Sequence, residues 1–129
     1  MPASVNSFES AGAMLDNEAI PVDVAILRGT TADPDGNISM EREALILDNL
    51  AIAMAAKASK GFVIAQVERL AAMDALPARQ VVVPGALVDC VVLAPPEHHV
   101  QTYATAYSPA FSGQLRVPMD RIDRPATLV

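Results

Sequence analysis

The sequence has no tryptophan, a single cysteine and only 4% aromatic residues, and each shortage removes a class of protein. One thiol, Cys90, rules out an internal disulfide and cannot by itself assemble a thiolate metal site, which fits a reducing compartment. Positive charge is scarce too. Nine Lys and Arg stand against fifteen Asp and Glu, a net charge of −6, and no two basic residues are adjacent. A surface of that kind does not track a phosphate backbone, so no nucleic acid is expected as a partner. Long apolar runs are also missing: the best candidate, Ala44 to Ala56, contains Asp48 and meets Lys57, short of the roughly 20 residues a membrane span needs. The first ten residues lack the basic and apolar regions of a secretory signal, and the expected location is cytoplasmic, away from membranes.

What remains is aliphatic. With 52% hydrophobic residues in 129, the chain can bury the core of one compact domain. Residues 1–20 show no regular period and read as a loose leader. Residues 21–94 read as an α/β core. Val22 to Leu27 is a short β-branched run of the type buried on both faces of a sheet, and Thr30 to Asn37 carries turn chemistry through Pro34 and Gly36. A helix is predicted from Met40 to Ala58, with Ser39 as N-cap, Glu41 and Glu43 in the first turn and Gly61 as the residue that stops it. Met40, Ala44, Leu47, Ala51, Met54 and Ala58 would form its buried stripe. Phe62 to Val67 is a second strand, so a right-handed βαβ crossover is expected; Gln80 to Val83 and Val88 to Leu93 follow. Residues 95–129 lack strong periodicity, with only Gln114 to Val117 as a possible strand, and read as an extended wrapping tail of the same domain. The expected fold class is α/β, an open and mainly parallel sheet.

Few residues announce chemistry on their own. His98 and His99 are the first place to look for a metal or a base, but adjacent histidines rarely face one point, and they read as exposed loop residues with no metal. Cys90 sits in an apolar run and reads as an inert buried thiol. Glu68 and Arg69 leave the second strand at the sheet edge where α/β proteins hold ligands; they either reach a cleft or form a solvated pair. Nucleotide-binding glycine fingerprints and a nucleophile elbow are absent.

The stretch Asp23-Val24-Ala25-Ile26-Leu27-Arg28-Gly29-Thr30-Thr31-Ala32-Asp33-Pro34-Asp35-Gly36-Asn37 is more specific. It resembles the Asp-Val-Ala-Leu-Ile-(Arg/Lys)-Gly-Thr-x-Ala-Asp-x-x-Gly-Asn segment of class I coenzyme A transferases, in the acetate/propionate, acyl-CoA:acetate/3-ketoacid branch. The likeness continues in register through Met40 to Ala44, Val63 to Glu68, Val83 to Asp89, Gln101 to Tyr103 and Tyr107 to Gly113. That resemblance implies an enzyme built from an α-like and a β-like half, in which a glutamate attacks an acyl-CoA thioester and carries CoA as a glutamyl thioester. Only the later part of the α-like half is matched, and the family's nucleophile belongs to the β-like half. None of Glu9, Glu18, Glu41, Glu43, Glu68 and Glu97 matches its motif, so no catalytic residue is assigned.

By the same resemblance, Gly29, Thr30, Thr31, Asp33, Gly36 and Asn37, with Glu68, are the candidate substrate-binding residues; a turn needed only to reach the helix explains the loop equally well. Coenzyme A enters as substrate and no cofactor is expected. The implied partners are an acyl-CoA, a carboxylic acid, and either a β-like half or a second copy of the chain. Three readings stay open: a partial transferase domain inactive alone, a subunit whose other half is a separate chain, and a small-ligand or nucleotide-binding α/β module without transferase chemistry.

Overall fold

The computed structural model describes residues 19–121. All but the last two residues of the expected leader, and the end of the tail, lie outside the described residues. The elements run β1 (Val24–Arg28), β2 (Thr31–Ala32), β3 (Ile38–Ser39), α1 (Asn49–Ala58), β4 (Phe62–Val67), β5 (Arg69–Leu70), β6 (Val81–Val83) and β7 (Cys90–Leu93). They form a three-stranded parallel sheet in the order β1-β4-β7 and a four-stranded mixed sheet in the order β5-β2-β3-β6. The expected α/β class and the parallel pairing of the first two long strands, with a helix between them, are what the chain adopts. Gln114 to Val117, by contrast, forms no strand. No helix of the described residues is long and apolar enough to cross a membrane.

The helix is shorter than its sequence pattern predicts. It begins at Asn49, not Met40, because the preceding residues have stronger engagements elsewhere. Ser39 ends β3 and donates its hydroxyl to Glu41 instead of capping a helix. Glu41 and Glu43, expected in a helical first turn, pair with Arg69 and Arg28. Helix propensity is worth a few tenths of a kcal/mol per residue, roughly, and such tertiary contacts outweigh it. The buried stripe shifts accordingly: Ala53 and Ala56 face the sheet, while Ala51, Met54 and Ala58 are exposed. At the other end Lys60, at φ +60°, takes the left-handed position expected of Gly61; the Gly61 N–H returns to the Ala56 carbonyl at 2.7 Å and the Lys60 N–H to Lys57.

Asp89 then ties this end of the helix to the sheet. Its carboxylate accepts from Lys57 and from the Val63 N–H, and its own N–H donates to the Val63 carbonyl at 2.9 Å. The lysine holds the Asp89 carboxyl below its ordinary value, with the Val63 N–H adding to the effect.

One face of the parallel sheet carries the core. Ala25, Leu27, Val63, Ala65 and Val67 are buried against α1. The alternate residues Val24, Ile26, Phe62 and Val92 are exposed, so within the described residues the second face is largely bare, met only near its carboxyl end where Gln66 contacts the chain after β7, and not covered as the apolar runs suggest. Cys90 is exposed as well, because β7 is an edge strand whose outer face nothing described here covers; the expected buried thiol is not found.

The two sheets are joined where β1 becomes β2 and β4 becomes β5. Val24 pairs with Phe62 and Arg28 with Gln66 in the first sheet, and Thr31 pairs with Arg69 in the second, so the pairing offset is unchanged across the junction. Between them the Glu68 and Arg69 N–H groups both converge on the Thr30 carbonyl, while the Thr30 N–H turns to Ser39. Gly29 is the pivot. A β-carbon there would lie 2.2 Å from Cγ2 of fully buried Ile38 and 3.2 Å from the Ser39 carbonyl. Gly29→Ala should therefore lower the urea unfolding midpoint by an equivalent of about 1–3 kcal/mol, the usual cost of overpacking. The same substitution in an Ile38→Ala background should cost less, and strict additivity of the two would count against this contact.

Candidate functional site

The carboxyl ends of β1, β4 and β7 lie side by side, and the segments leaving them carry most of the polar residues singled out from sequence. After β1, Thr30 and Thr31 are buried. The Thr30 hydroxyl accepts the Arg42 N–H at 3.0 Å, and the Thr31 hydroxyl donates to Glu41 at 2.6 Å while accepting from Arg69 at 2.8 Å. Asp33, Gly36 and Asn37 close the hairpin between β2 and β3. Asn37 donates its N–H and its amide to the two Asp33 carboxylate oxygens at 2.9 and 2.8 Å, and Gly36 sits at φ +81°. The Asn37 side-chain carbonyl accepts the Gly85 N–H at 2.9 Å, which pins the hairpin to the turn after β6. Burial tends to raise the Asp33 carboxyl, and the Asn37, Asp35 and Gly36 hydrogen bonds outweigh it, so its pKa is lowered overall.

The structure thus brings Gly29, Thr30, Thr31 and Glu68 to one edge and sets Asp33, Gly36 and Asn37 at the far end of the hairpin, bonded mainly to one another. Glu68 stands within 2.7 Å of Arg42 Nε, an ion pair whose N–H is not aligned for a hydrogen bond. The Arg42 guanidinium in turn lies over the Tyr107 ring, 3.6 Å from its centroid.

Two carboxylate centres occupy this edge. Glu41 is bracketed by Thr31, Ser39 and Arg69, with Arg69 Nη2 at 2.7 Å. Glu43 receives Arg28 Nε at 2.7 Å on one oxygen and faces His99 Nε2 at 3.2 Å with the other. The His99 ring is buried, and Gln66 Nε2 lies 3.0 Å from its other nitrogen. An amide nitrogen can only donate, so Nδ1 accepts and the ring proton sits on Nε2, facing the carboxylate. Of the two histidines expected in an exposed loop, only His98 is exposed. The correction for His99 has a plain cause: the chain after β7 folds back over β4, where Gln66 and Glu43 supply both ring partners. Among the described residues no group of three or more His, Cys, Asp or Glu is placed to hold a metal ion.

Residues 99–114 are anchored on the same edge. Gln101, buried, donates to the Arg42 carbonyl at 2.8 Å and accepts from the Ser108 N–H at 2.8 Å; Gln114 donates to the Glu41 carbonyl and accepts from the Tyr107 hydroxyl. Sequence reasoning assigned Glu41 and Glu43 to a helix and so missed both centres. No local signal marks them: the chain turns at Glu41 and Arg42, with the Glu43 N–H returning to the Met40 carbonyl at 3.1 Å, and the partners Arg28, Arg69 and His99 are distant in sequence.

The Glu41 carboxyl is raised by burial and lowered more by hydrogen bonds from Ser39, Thr31, its own N–H and Arg69, for a net pKa below its ordinary 4.5. A depressed carboxyl stabilises the fold fully above its unfolded value and loses that contribution as pH falls through the folded one. Glu41→Gln should cost about 1–2 kcal/mol near neutrality, discounted for partial exposure. The gap to the parent should then shrink in urea titrations as the pH falls below 4.5. A gap independent of pH would assign Glu41 no electrostatic role.

Comparisons with known proteins bear on the same residues. The coenzyme A transferase family model matches residues 9–94. Caffeate CoA-transferase of Acetobacterium woodii is 49% identical over 106 residues, covering 81% of this chain and 20% of that protein. Acetate CoA-transferase YdiF of Escherichia coli K12 is 40% identical over 78 residues, 60% of this chain and 15% of that protein. The solved acyl-CoA transferase YdiF of Escherichia coli O157:H7, a thioester complex with CoA, superposes with a TM-score of 0.72 at 34% identity, over 80% of this chain and 22% of that one. This chain therefore spans about a fifth of the length of the curated relatives it matches. Since the family model takes in well over half of its residues, the chain belongs to the coenzyme A transferase family.

Proposed function

We propose that the chain is the later part of the α-like half of an enzyme that moves CoA between a short-chain acyl-CoA and a carboxylic acid. CoA is carried as a glutamyl thioester on a glutamate supplied from outside this chain. Residues 21–94 are the core of that half and residues 95–129 its extended tail, and the enzyme works in the cytoplasm with CoA as substrate and no further cofactor.

One observation carries this reading: the carboxylates at the ligand-bearing edge are already committed. Glu41 holds Thr31, Ser39 and Arg69; Glu43 holds Arg28 and His99; Glu68 holds Arg42. A nucleophile needs a carboxylate oxygen free to reach the thioester carbon and donors aimed at the developing oxyanion. Correct placement of that group is worth roughly 7–11 kcal/mol, and a carboxylate whose oxygens are turned to other partners and not held at the thioester carbon forfeits it. The solved relative in thioester complex with CoA supports the covalent step, and the greater length of the relatives, of which the matched segment covers 20% in the Acetobacterium woodii protein, supports a nucleophile elsewhere. Gly29, Thr30 and Thr31 then shape the edge on which substrate is held, and Asp33, Gly36 and Asn37 keep the hairpin in place.

Purified alone, the chain is expected to transfer no CoA from propionyl-CoA or acetoacetyl-CoA to acetate, and mass spectrometry should find no CoA adduct on it. Addition of a β-like half should restore turnover. A stoichiometric adduct on Glu68 or Glu97 would overturn the proposal. A thermal shift with CoA, combined with no transfer whichever half is added, would favour the small-ligand or nucleotide-binding module.

A further inference from the structure

We propose that the cavity in the tail, between Thr105 and Arg121, binds a small monocarboxylic acid with an apolar body. The site is read from the cavity itself; only the role of that acid as the acceptor of CoA rests on the proposed function. The cavity measures about 260 Å³ and is lined by tail residues alone. Drug-sized ligands occupy pockets of roughly 300–1,000 Å³, so CoA, with its nucleotide and pantetheine arm, is too large to be enclosed here, while a short or single-ring acid has the right size. The walls are held in place by their own bonds. The Leu115 N–H returns to the Pro109 carbonyl at 3.0 Å and the Phe111 N–H to the Ser108 carbonyl at 3.1 Å, which closes residues 108–115 into a compact loop. Buried Gln101 accepts the Ser108 N–H at 2.8 Å. Tyr107 is fixed from two sides, by the Arg42 guanidinium over its ring and by Gln114, which accepts its hydroxyl. A site built in advance in this way spends little ordering on its ligand.

The chemistry of the lining selects the ligand. Arg121 is the one charged residue in it, carried on the 3₁₀ turn Met119–Arg121, whose last N–H donates to the Pro118 carbonyl at 3.0 Å. Its guanidinium presents paired N–H donors of the geometry a carboxylate accepts. Thr105 and Ser108 line the same space, and among the described residues neither hydroxyl takes part in a hydrogen bond, so both are left for a ligand's oxygens. Phe111, Leu115 and Val117 supply apolar wall. An inorganic anion forgoes that wall, a dicarboxylate brings a second charge without a partner, and a neutral molecule leaves the arginine unmatched. Arg121 is exposed whereas Tyr107, Phe111 and Val117 are half-buried, which sets the carboxylate at the mouth and the apolar body inside. The carboxylate is the end that must meet a thioester. Through Tyr107 the cavity also abuts Arg42 and its ion-pair partner Glu68, on the edge to which the acyl-CoA is assigned.

The experiment titrates the full chain with benzoate and with hexanoate and follows its backbone amides by NMR. At least one acid should bind saturably, in the millimolar range or tighter, and shift the amides of Tyr107, Ser108 and Phe111. Benzamide, which keeps the ring and loses the charge, and sulfate, which keeps charge and loses the body, should bind about tenfold more weakly or not at all. Arg121→Gln should weaken the acid by about tenfold with an unchanged far-UV circular dichroism spectrum, and Arg121→Lys should restore part of the loss. Thr105→Val with Ser108→Ala, which spares every backbone bond named above, should weaken it too. Shifts confined to other elements, benzamide bound as well as benzoate, affinity untouched by Arg121→Gln, displacement of the acid by CoA, or no saturable binding of either acid would each overturn the inference. In an enzyme reconstituted with a β-like half, Arg121→Gln should raise the KM for the acid about tenfold and leave the KM for acyl-CoA in place. An acid KM that does not move would sink this inference alone, whereas acid bound in the cavity without CoA transfer, whichever half is added, would sink only the proposed activity.

Discussion

Ile38 and Gly29 compete for one volume, and the fold depends on the glycine yielding it. The Ile38 side chain lies where a β-carbon of residue 29 would project, and this close approach lets the chain turn out of the parallel sheet and into the mixed one. Everything at the carboxyl edge follows from that turn. Thr30 reaches across to receive the N–H of Arg42, Thr31 meets Glu41 and Arg69, and the N–H groups of the β4–β5 junction converge on a single carbonyl. A glycine that sequence reading treats as the end of a strand is thus the point about which two sheets are set.

The polar residues gathered there act first as fastenings. Glu43 and His99 join the loop after β3 to the segment after β7, and Glu41 joins that loop to β5. Arg42, between them, faces the other way, toward Glu68 and Tyr107. The turn at Glu41 and Arg42 sends neighbouring residues to different partners, and it leaves an edge rich in hydrogen bonds and ion pairs. Under the proposed function such an edge would position substrate, because groups already fixed by their partners need no reorganisation when charge develops.

Much of this fold was legible because its strands are apolar, short and punctuated. Phe62 to Val67 is found with the bounds its composition suggests, and β1 is displaced by little. The start of the helix is not legible, since Ser39, Glu41 and Glu43 have the residue types of a helix N-terminus, while the partners that hold the two glutamates, Arg28 and Arg69, are distant in sequence. Its face was misjudged for another reason: from Asn49 to Ala58 nearly every residue is apolar, so no stripe stands out, and the small side chains of Ala53 and Ala56 decide which side can approach the sheet. His99 and Cys90 were misplaced in opposite directions. A residue's burial there depends on what folds over it, and neither the return of the chain after β7 nor the bare outer face of that strand has a local signature.

The shared pairing offset of β1 with β4 and of β2 with β5 has a consequence for fidelity. In an ordinary strand pair a slip of one residue exchanges the two faces of that pair alone. Here the two pairs are continuous through Thr30 and Glu68, so a slip in the first sheet forces the same slip in the second. Ala25 and Leu27 would leave the face of α1 while Thr31 lost Arg69, and Gly29 would move from beneath Ile38 and bring a side chain into its place. Misaligned versions of the chain are therefore penalised at three separated points together, which makes the register a property of the whole unit and not of any one hairpin or ladder.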